Sequence, residues 1–374
     1  MNDQIDAVAP VTELIPVSML TGFLGSGKTT LLNNLVQQPE MADTLVIINE
    51  FGEMALDHTL IAHSTEQLVM EMSSGCICCN IRGDLAQTLR DITWRYTRNG
   101  ERWFRRVIIE TTGLADPAPI IHTIMSHPQV ASKYRLDGVI STVDMALGMH
   151  TLNEHKEAIK QAAVADALIL TKADLATDEQ RSALLTRLDA INPAAKRWQI
   201  SNGEIAAEKL LNLGLFNTAS KSPDVVRWLQ EEAYTDSEPH SHDHHMSHED
   251  HNHGGHKSDG HRHHHDVNRH DDHIRAFCFT IDQPIPDYIL SEWLGILTDF
   301  LGNQILRVKG ILNVEGKSQP VAIHGVQHIF HPLSMLPAWP SDDRRSRLVF
   351  ITHDVDRATI QQTLNNFLTL GPAA

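Results

Sequence analysis

Through the first 200 residues, short apolar runs alternate with segments of helical periodicity. The runs are Val17–Leu20, Leu45–Ile48, Val107–Ile109, Val139–Val143, Leu168–Leu170 and, more weakly, Trp198–Ile200. They are rich in β-branched residues and unbroken rather than alternating with polar positions. Strands of that kind are covered on both faces, as in a parallel sheet flanked by helices. Between them, Thr29–Gln37 and Thr177–Ile191 carry helical patterns. The alternation predicts an α/β domain over residues 1–215 with a doubly wound, mostly parallel sheet and right-handed crossovers.

The pattern then changes. Residues 216–273 read as a linker, and from 239 to 273 His, Asp, Ser and Gly replace almost every apolar residue. Such a stretch buries too little apolar area to offset its ordering entropy, so it reads as disordered unless metal orders it. Beyond it, Ile274–Ile281, Leu306–Val314, Val321–Phe330 and Arg347–Thr352 read as strands. Pro286–Leu301 and Ala358–Leu370 read as helices. Residues 274–374 are thus expected to form a smaller α+β domain, with helices on one face of a mostly antiparallel sheet.

Composition narrows the function classes. The 374 residues carry a formal charge of −16, which disfavours nucleic acid, because phosphate backbones need a basic surface. No stretch reaches about 18 consecutive apolar residues, so no membrane span is expected. The N-terminal segment carries acids and lacks the basic start and apolar core of a signal peptide. Cys76, Cys78 and Cys79 lie within four residues, too crowded for a disulfide framework. They read as reduced thiols in a cytoplasmic protein.

Gly22–Thr29 reads GFLGSGKT, a full G-x-x-x-x-G-K-[ST] phosphate loop between an apolar strand and a helical pattern. Gly22, Gly25 and Gly27 let the backbone, with Ser26, wrap phosphate oxygens, and the helix that begins near Thr30 adds partial positive charge. Lys28 neutralises the outer phosphates and the Thr29 hydroxyl ligates magnesium. Leu168–Asp174 ends in Thr171-Lys172-Ala173-Asp174, the [NT]-K-x-D element that reads guanine. A carboxylate there accepts from both the ring N–H and the exocyclic amine of guanine. Adenine would leave it unpaired, at about 1–3 kcal/mol or more. The Lys172 stem can pack on the base, so GTP is favoured over ATP.

Arg106–Pro117 reads RVIIETTGLADP. Glu110 ends a strand where a magnesium-side carboxylate belongs, although many GTPases carry Asp there. Gly113, three residues on, suits a switch that meets a γ-phosphate through its backbone. Asn49–Glu53 reads NEFGE just past another strand end, offering Glu50 and Glu53, with Asp57 close by. Gly75–Cys79 reads GCICC. Its thiolates suit zinc, Cu(I) or cobalt, and three of them leave one tetrahedral position open, as reversible binding requires. If the segment is extended, Cys76 and Cys78 point to one side, and Cys79 joins by a turn. Inert buried thiols and a redox pair are the alternatives.

Together GFLGSGKT, NEFGE, SSGCICC, IIETTGLADP and LTKAD resemble the CobW-like family of metal-transferring GTPases, in the family's order. RVKGIL and GVQHIF resemble pieces of its smaller domain. The resemblance implies a metallochaperone that couples GTP hydrolysis to loading a divalent metal and releasing it to a client metalloprotein. Zinc or cobalt is the implied metal; members are associated with zinc supply, cobalamin synthesis and nitrile hydratase activation. It implies that Lys28, Glu110 and Gly113 serve hydrolysis, that Thr29 and Glu110 hold magnesium, and that Asp174 reads the base. It places Cys76, Cys78, Cys79 and a switch acid, Glu53, at the transferred metal. NEFGE is followed by MALD rather than VGID, but Asp57 is retained. His127, in MSHPQV, reads as a plain loop histidine rather than a surface ligand. No glutamine or arginine is evident for water positioning, so slow intrinsic hydrolysis is expected.

Of 24 histidines, 14 lie between His240 and His273. His242, His244, His245, His263, His264 and His265 can hold ions loosely and raise their local concentration. The alternative is a solvated linker with incidental metal affinity. Metal bridging through this segment would make a homodimer. A metal store or sensor, and a small-substrate kinase, stand as rival functions.

Overall fold

The computed structural model describes residues 14–48, 68–71, 77–98, 101–213 and 273–370. The N-terminal domain runs β1 (Ile15–Gly22), α1 (Lys28–Leu35), β2 (Thr44–Ile48), β3 (Leu68–Glu71), α2 (Ile77–Arg95) and the ribbon β4 (Thr97–Arg98) and β5 (Glu101–Arg102). It continues through β6 (Arg106–Glu110), α3 (Ala118–Ser126), α4 (Pro128–Ala131) and β7 (Tyr134–Asp144). The last elements are α5 (Gly148–Glu154), α6 (Lys156–Val164), β8 (Ala167–Thr171), α7 (Asp178–Ile191) and β9 (Lys196–Gln199). Seven strands form one sheet in the order β3-β2-β6-β1-β7-β8-β9, with every pairing parallel.

The unbroken apolar runs are explained by two buried faces. Ile15, Val17 and Met19 of β1 pack with Leu85, Leu89 and Ile92 of α2 and Ile120, Ile121 and Ile124 of α3. Leu20 points the other way, into a layer with Leu31, Leu32 and Leu35 of α1. Each such aliphatic side chain contributes about 1.5–3 kcal/mol on burial. Helix α7 starts where the sequence punctuates it: Thr177 and Gln180 form a reciprocal capping box.

The C-terminal domain runs β10 (Ile274–Ile281), α8 (Asp287–Leu301), β11 (Ile305–Leu312), β12 (Val321–Val326), β13 (Ile329–Phe330), β14 (Ser334–Met335), β15 (Ser346–His353) and α9 (Arg357–Leu370). Its sheet is antiparallel, in the order β10-β15-β11-β12-β13, with β14 on β12. The run read as one strand from Val321 to Phe330 is a hairpin. Gln327 turns the chain at φ 54, and Val326 pairs with Ile329 across a two-residue turn.

Side chains alternate across this sheet. Phe277, Phe279 and Phe350 pack under α8 and α9 around the fully buried Trp293. Ala276, Cys278, Leu306, Ile311, Val349 and Ile351 face the other way and share one core with Ala162 of α6 and Leu184 and Leu188 of α7. The N-terminal domain therefore covers the face that the C-terminal helices leave open. At the seam, Asp166 accepts from Arg307 and Lys309 of β11 through one carboxylate oxygen, and from the Val139 backbone N–H at 2.9 Å through the other. Burial alone would raise the Asp166 carboxyl; the Arg307 and Lys309 charges outweigh it and hold the group far below the carboxylate range.

Candidate functional site

The ends of the parallel strands gather the chemistry along one edge of the sheet, where ligands bind in this architecture. β1 runs straight into the loop Gly22–Thr29. Gly22, Gly25 and Gly27 have φ of 138°, 69° and 92°, conformations that side chains rarely adopt. At Gly22 a Cβ would also lie 2.2 Å from the Thr142 hydroxyl, so the loop seats directly on β7. Ser26 clamps the loop: its hydroxyl donates to the Phe23 carbonyl at 2.7 Å and lies 2.6 Å from the Thr142 hydroxyl. Lys28 is buried, and its ammonium donates to the Gly22 and Phe23 carbonyls at 3.0 and 3.1 Å. The cation is thus held against the first turn of the loop. Thr30 is exposed on the first turn of α1.

The parallel register brings the next strand end beside it. Leu20 pairs with Glu110, and the Thr111 N–H donates to the Leu20 carbonyl at 2.9 Å. The Thr29 hydroxyl donates to Glu110 Oε1 at 3.0 Å, and Glu110 is 1% exposed. Two hard oxygen donors meeting at the phosphate loop fit magnesium, which takes few protein ligands and keeps its remaining positions for water and phosphate. Gly113 has no room for a side chain: a Cβ would lie 2.5 Å from the Leu24 backbone nitrogen.

Gln161, buried on α6, donates to the Gly113 and Ala115 carbonyls, both at 3.1 Å. Asp116 accepts from the Ala118 N–H at the start of α3 at 3.0 Å and from Lys160 at 2.8 Å. It also accepts from Gln327 of the C-terminal domain at 3.3 Å. The segment after β6 therefore touches the phosphate loop at one end and the second domain at the other.

Asp144 pairs with Thr171 across β7 and β8. The Thr171 hydroxyl donates to the Ser26 carbonyl at 2.7 Å, tying the TKAD element to the phosphate loop. Lys172, at φ 56, donates to Asp144 at 2.7 Å, which orients its stem, and Asp174 is exposed just beyond. The Ala173 N–H donates to the Ile200 carbonyl, so the loop after β9 lies alongside. Asn202 of that loop accepts from Asn34 of α1 at 2.6 Å.

Thr142, Asp144, Gln161 and the 201–203 loop were not singled out in the sequence. Thr142 and Asp144 were legible as the end of the apolar run STVD, but Gln161 had no local signal, since it acts on a segment 46 and 48 residues away.

The thiol motif is met only in part. The backbone is helical from Ile77, so Cys78 and Cys79 lie in the first turn of α2. Cys76, Glu53, Glu50, Asp57, His242, His244, His245, His263, His264 and His265 lie outside the described residues. His127 sits between α3 and α4, away from the strand ends. Among the described residues no helix is long and apolar enough to cross a membrane.

Comparison with known proteins agrees with this layout. The model of the CobW/HypB/UreG nucleotide-binding domain matches residues 16–199, and that of the cobalamin synthesis protein cobW C-terminal domain matches residues 274–368. The zinc chaperone YjiA of Escherichia coli is 32% identical over 341 residues, covering 90% of this chain and 93% of its own. The zinc chaperone CobW of Pseudomonas aeruginosa is 30% identical over 387 residues, covering 95% and 92%. The crystal structure of Zn(II)-bound YjiA GTPase from E. coli aligns with a TM-score of 0.65 at 26% identity, over 95% of this chain and 99% of that one.

Proposed function

Because the chain belongs to the CobW/HypB/UreG family of P-loop GTPases and carries the CobW C-terminal domain, we propose that this metallochaperone binds a divalent metal, zinc foremost, at Cys76, Cys78 and Cys79, with Glu53, and transfers it to a client protein on GTP hydrolysis. The observation that carries the reading is the 3.0 Å contact between Thr29 and Glu110. It joins the phosphate loop to the Glu110–Asp116 segment, which leads into α3. Helix α2, whose first turn holds Cys78 and Cys79, packs on α3.

Lys28 and the loop N–H groups hold the GTP phosphates, and Asp174 selects guanine. Magnesium, when bound, neutralises phosphate charge beside Thr29 and Glu110. Gly113 then meets the γ-phosphate with its backbone, and the change in this segment reaches α2 through α3 and the C-terminal domain through Asp116 and Gln327. Hydrolysis loosens the segment, and the metal leaves to a client seated partly on the C-terminal domain. Zinc supply by the similar YjiA and CobW chaperones favours zinc over cobalt as cargo.

The test is competitive zinc and cobalt affinity in the apo, GDP and non-hydrolysable GTP-analogue states, alongside Cys78→Ala. The expected result is tightening by the GTP analogue of about ten-fold, or about 1.4 kcal/mol of coupling, that Cys78→Ala removes. Metal affinity blind to nucleotide would refute the chaperone cycle and favour storage or sensing.

A further inference from the structure

The antiparallel register of the C-terminal sheet places one histidine of the histidine-rich segment where nothing in the local sequence announces it. His273 is the last of the 14 histidines that begin at His240. The next residue, Ile274, opens β10 and pairs with His353 at the end of β15. The chain turns directly after His353: Asp354 adopts φ 58, and its backbone N–H donates to the His273 carbonyl at 2.7 Å. His273 is thereby fixed beside residues 80 and 81 positions away.

Three side chains converge there. His273 Nδ1 contacts Asp354 Oδ1, and His353 Nδ1 lies 3.1 Å from Asp354 Oδ2. The two imidazole rings stack with centroids 5.5 Å apart and 12° between their planes. One donor atom from each residue lies within 4.8 Å of the other two. Ligand atoms about 2.0–2.1 Å from a tetrahedral zinc stand roughly 3.3 Å from one another, so the His353–Asp354 pair is already at ligating separation. His273 and Asp354 are exposed and His353 half-buried, which leaves the cluster open to an incoming ion.

We propose that His273, His353 and Asp354 form a site for a divalent transition-metal ion, with zinc the fitting case, where the histidine-rich segment joins the folded C-terminal domain. Two imidazole nitrogens and one carboxylate suit zinc, cobalt or nickel; magnesium and calcium require oxygen-dominated sets. Three protein ligands leave a fourth tetrahedral position to water or an incoming donor, the arrangement of an exchangeable site. The site is separate from the thiol motif and from the nucleotide. It converts a loosely held ion into one bound at a fixed place on the domain, and it does not depend on the chaperone cycle.

The test uses the full-length chain with Cys76, Cys78 and Cys79 changed to Ser and the other thirteen histidines from His240 to His270 changed to Gln, so that the donors of the thiol motif and of the rest of the histidine-rich segment are gone. Zinc is titrated against a chromophoric chelator, with magnesium as the counter-probe. One zinc per chain is expected, with no magnesium effect, and His353→Gln and Asp354→Asn should each weaken it by about ten-fold or more. Asn keeps the turn, since it tolerates the left-handed conformation. Nitrogen-15 histidine spectra of the parent chain supply a readout that needs no further variant: zinc should shift the ring nitrogens of both His273 and His353. Unchanged zinc affinity in both variants, or unmoved rings, would overturn the site and leave a plain carboxylate–imidazole cluster.

Discussion

Changing Asp166 to Asn leaves the shape of the domain seam almost untouched and removes its only counter-charge among the contacts described. The carboxylate is 4% exposed, and the side chains of Arg307 and Lys309 that converge on it are 7% and 11% exposed. Neither cation gains water when the charge is lost. Burial, together with Arg307, already pulls the Lys309 ammonium down to about 8 despite the opposing pull of Asp166. Breaking a buried pair from one side costs about 3–5 kcal/mol, because the remaining charge is uncompensated. Asp166→Ala should cost about 1–3 kcal/mol more, since it also orphans the Val139 N–H.

Against a total stability of about 5–15 kcal/mol this is a large fraction. The assay is urea unfolding at pH 7 followed by tryptophan fluorescence, which reports both domains through Trp198 and Trp293. Asp166 belongs to one domain and its cations to the other, so the variant should also split a cooperative transition into two. Replacing Arg307 and Lys309 by Met in the Asp166→Asn background should restore most of the loss. A cost under about 1 kcal/mol with a single transition would refute the reasoning, because that is the scale of a solvated surface pair.

The same seam predicts a pH dependence. Burial first, and then the Lys309 and Arg307 charges, hold the His324 imidazole well below its ordinary value. The unfolded chain takes up a proton near pH 6.5 that the folded chain refuses. This contribution to stability is therefore complete above that pH and declines below it, by at most about 1.4 kcal/mol per unit. His324→Gln should flatten the change in urea midpoint between pH 7.5 and 5.5; an unaltered slope would exclude His324 as its source. At the nucleotide site, Thr29→Val should lower single-turnover GTP hydrolysis by about 100-fold or more while the fold, read by circular dichroism, is kept. Gly113→Ala forces a methyl against the Leu24 backbone of the phosphate loop, so it should impair hydrolysis and weaken binding of both GDP and the GTP analogue, measured by calorimetry, relative to the parent chain.

Local chemistry carried the reading wherever a function is written in consecutive residues. Glycines with positive φ, a lysine and a threonine must be contiguous to wrap a phosphate, so GFLGSGKT was legible as such, and so were the strand ends IIETTG and LTKAD. Unbroken apolar runs reported strands buried on both faces, because a parallel sheet leaves no solvent side. The C-terminal elements were legible for the same reason, apart from the Gln327 turn, whose left-handed residue is not one that marks a hairpin by type.

Only the tertiary structure decided what covers the second face of the C-terminal sheet. In sequence, Arg307 and Lys309 are the polar positions of an alternating strand, indistinguishable from a face open to water. Asp166, 141 residues from Arg307, turns them into a buried seam. The Asp116–Gln327 contact and the His273, His353 and Asp354 cluster have the same origin. Each joins residues far apart in the chain, and their meeting is fixed by strand register and by the burial of apolar faces rather than by any motif. The phosphate-loop motif was thus local and readable, while the contacts between domains and the His273, His353 and Asp354 cluster arose from packing.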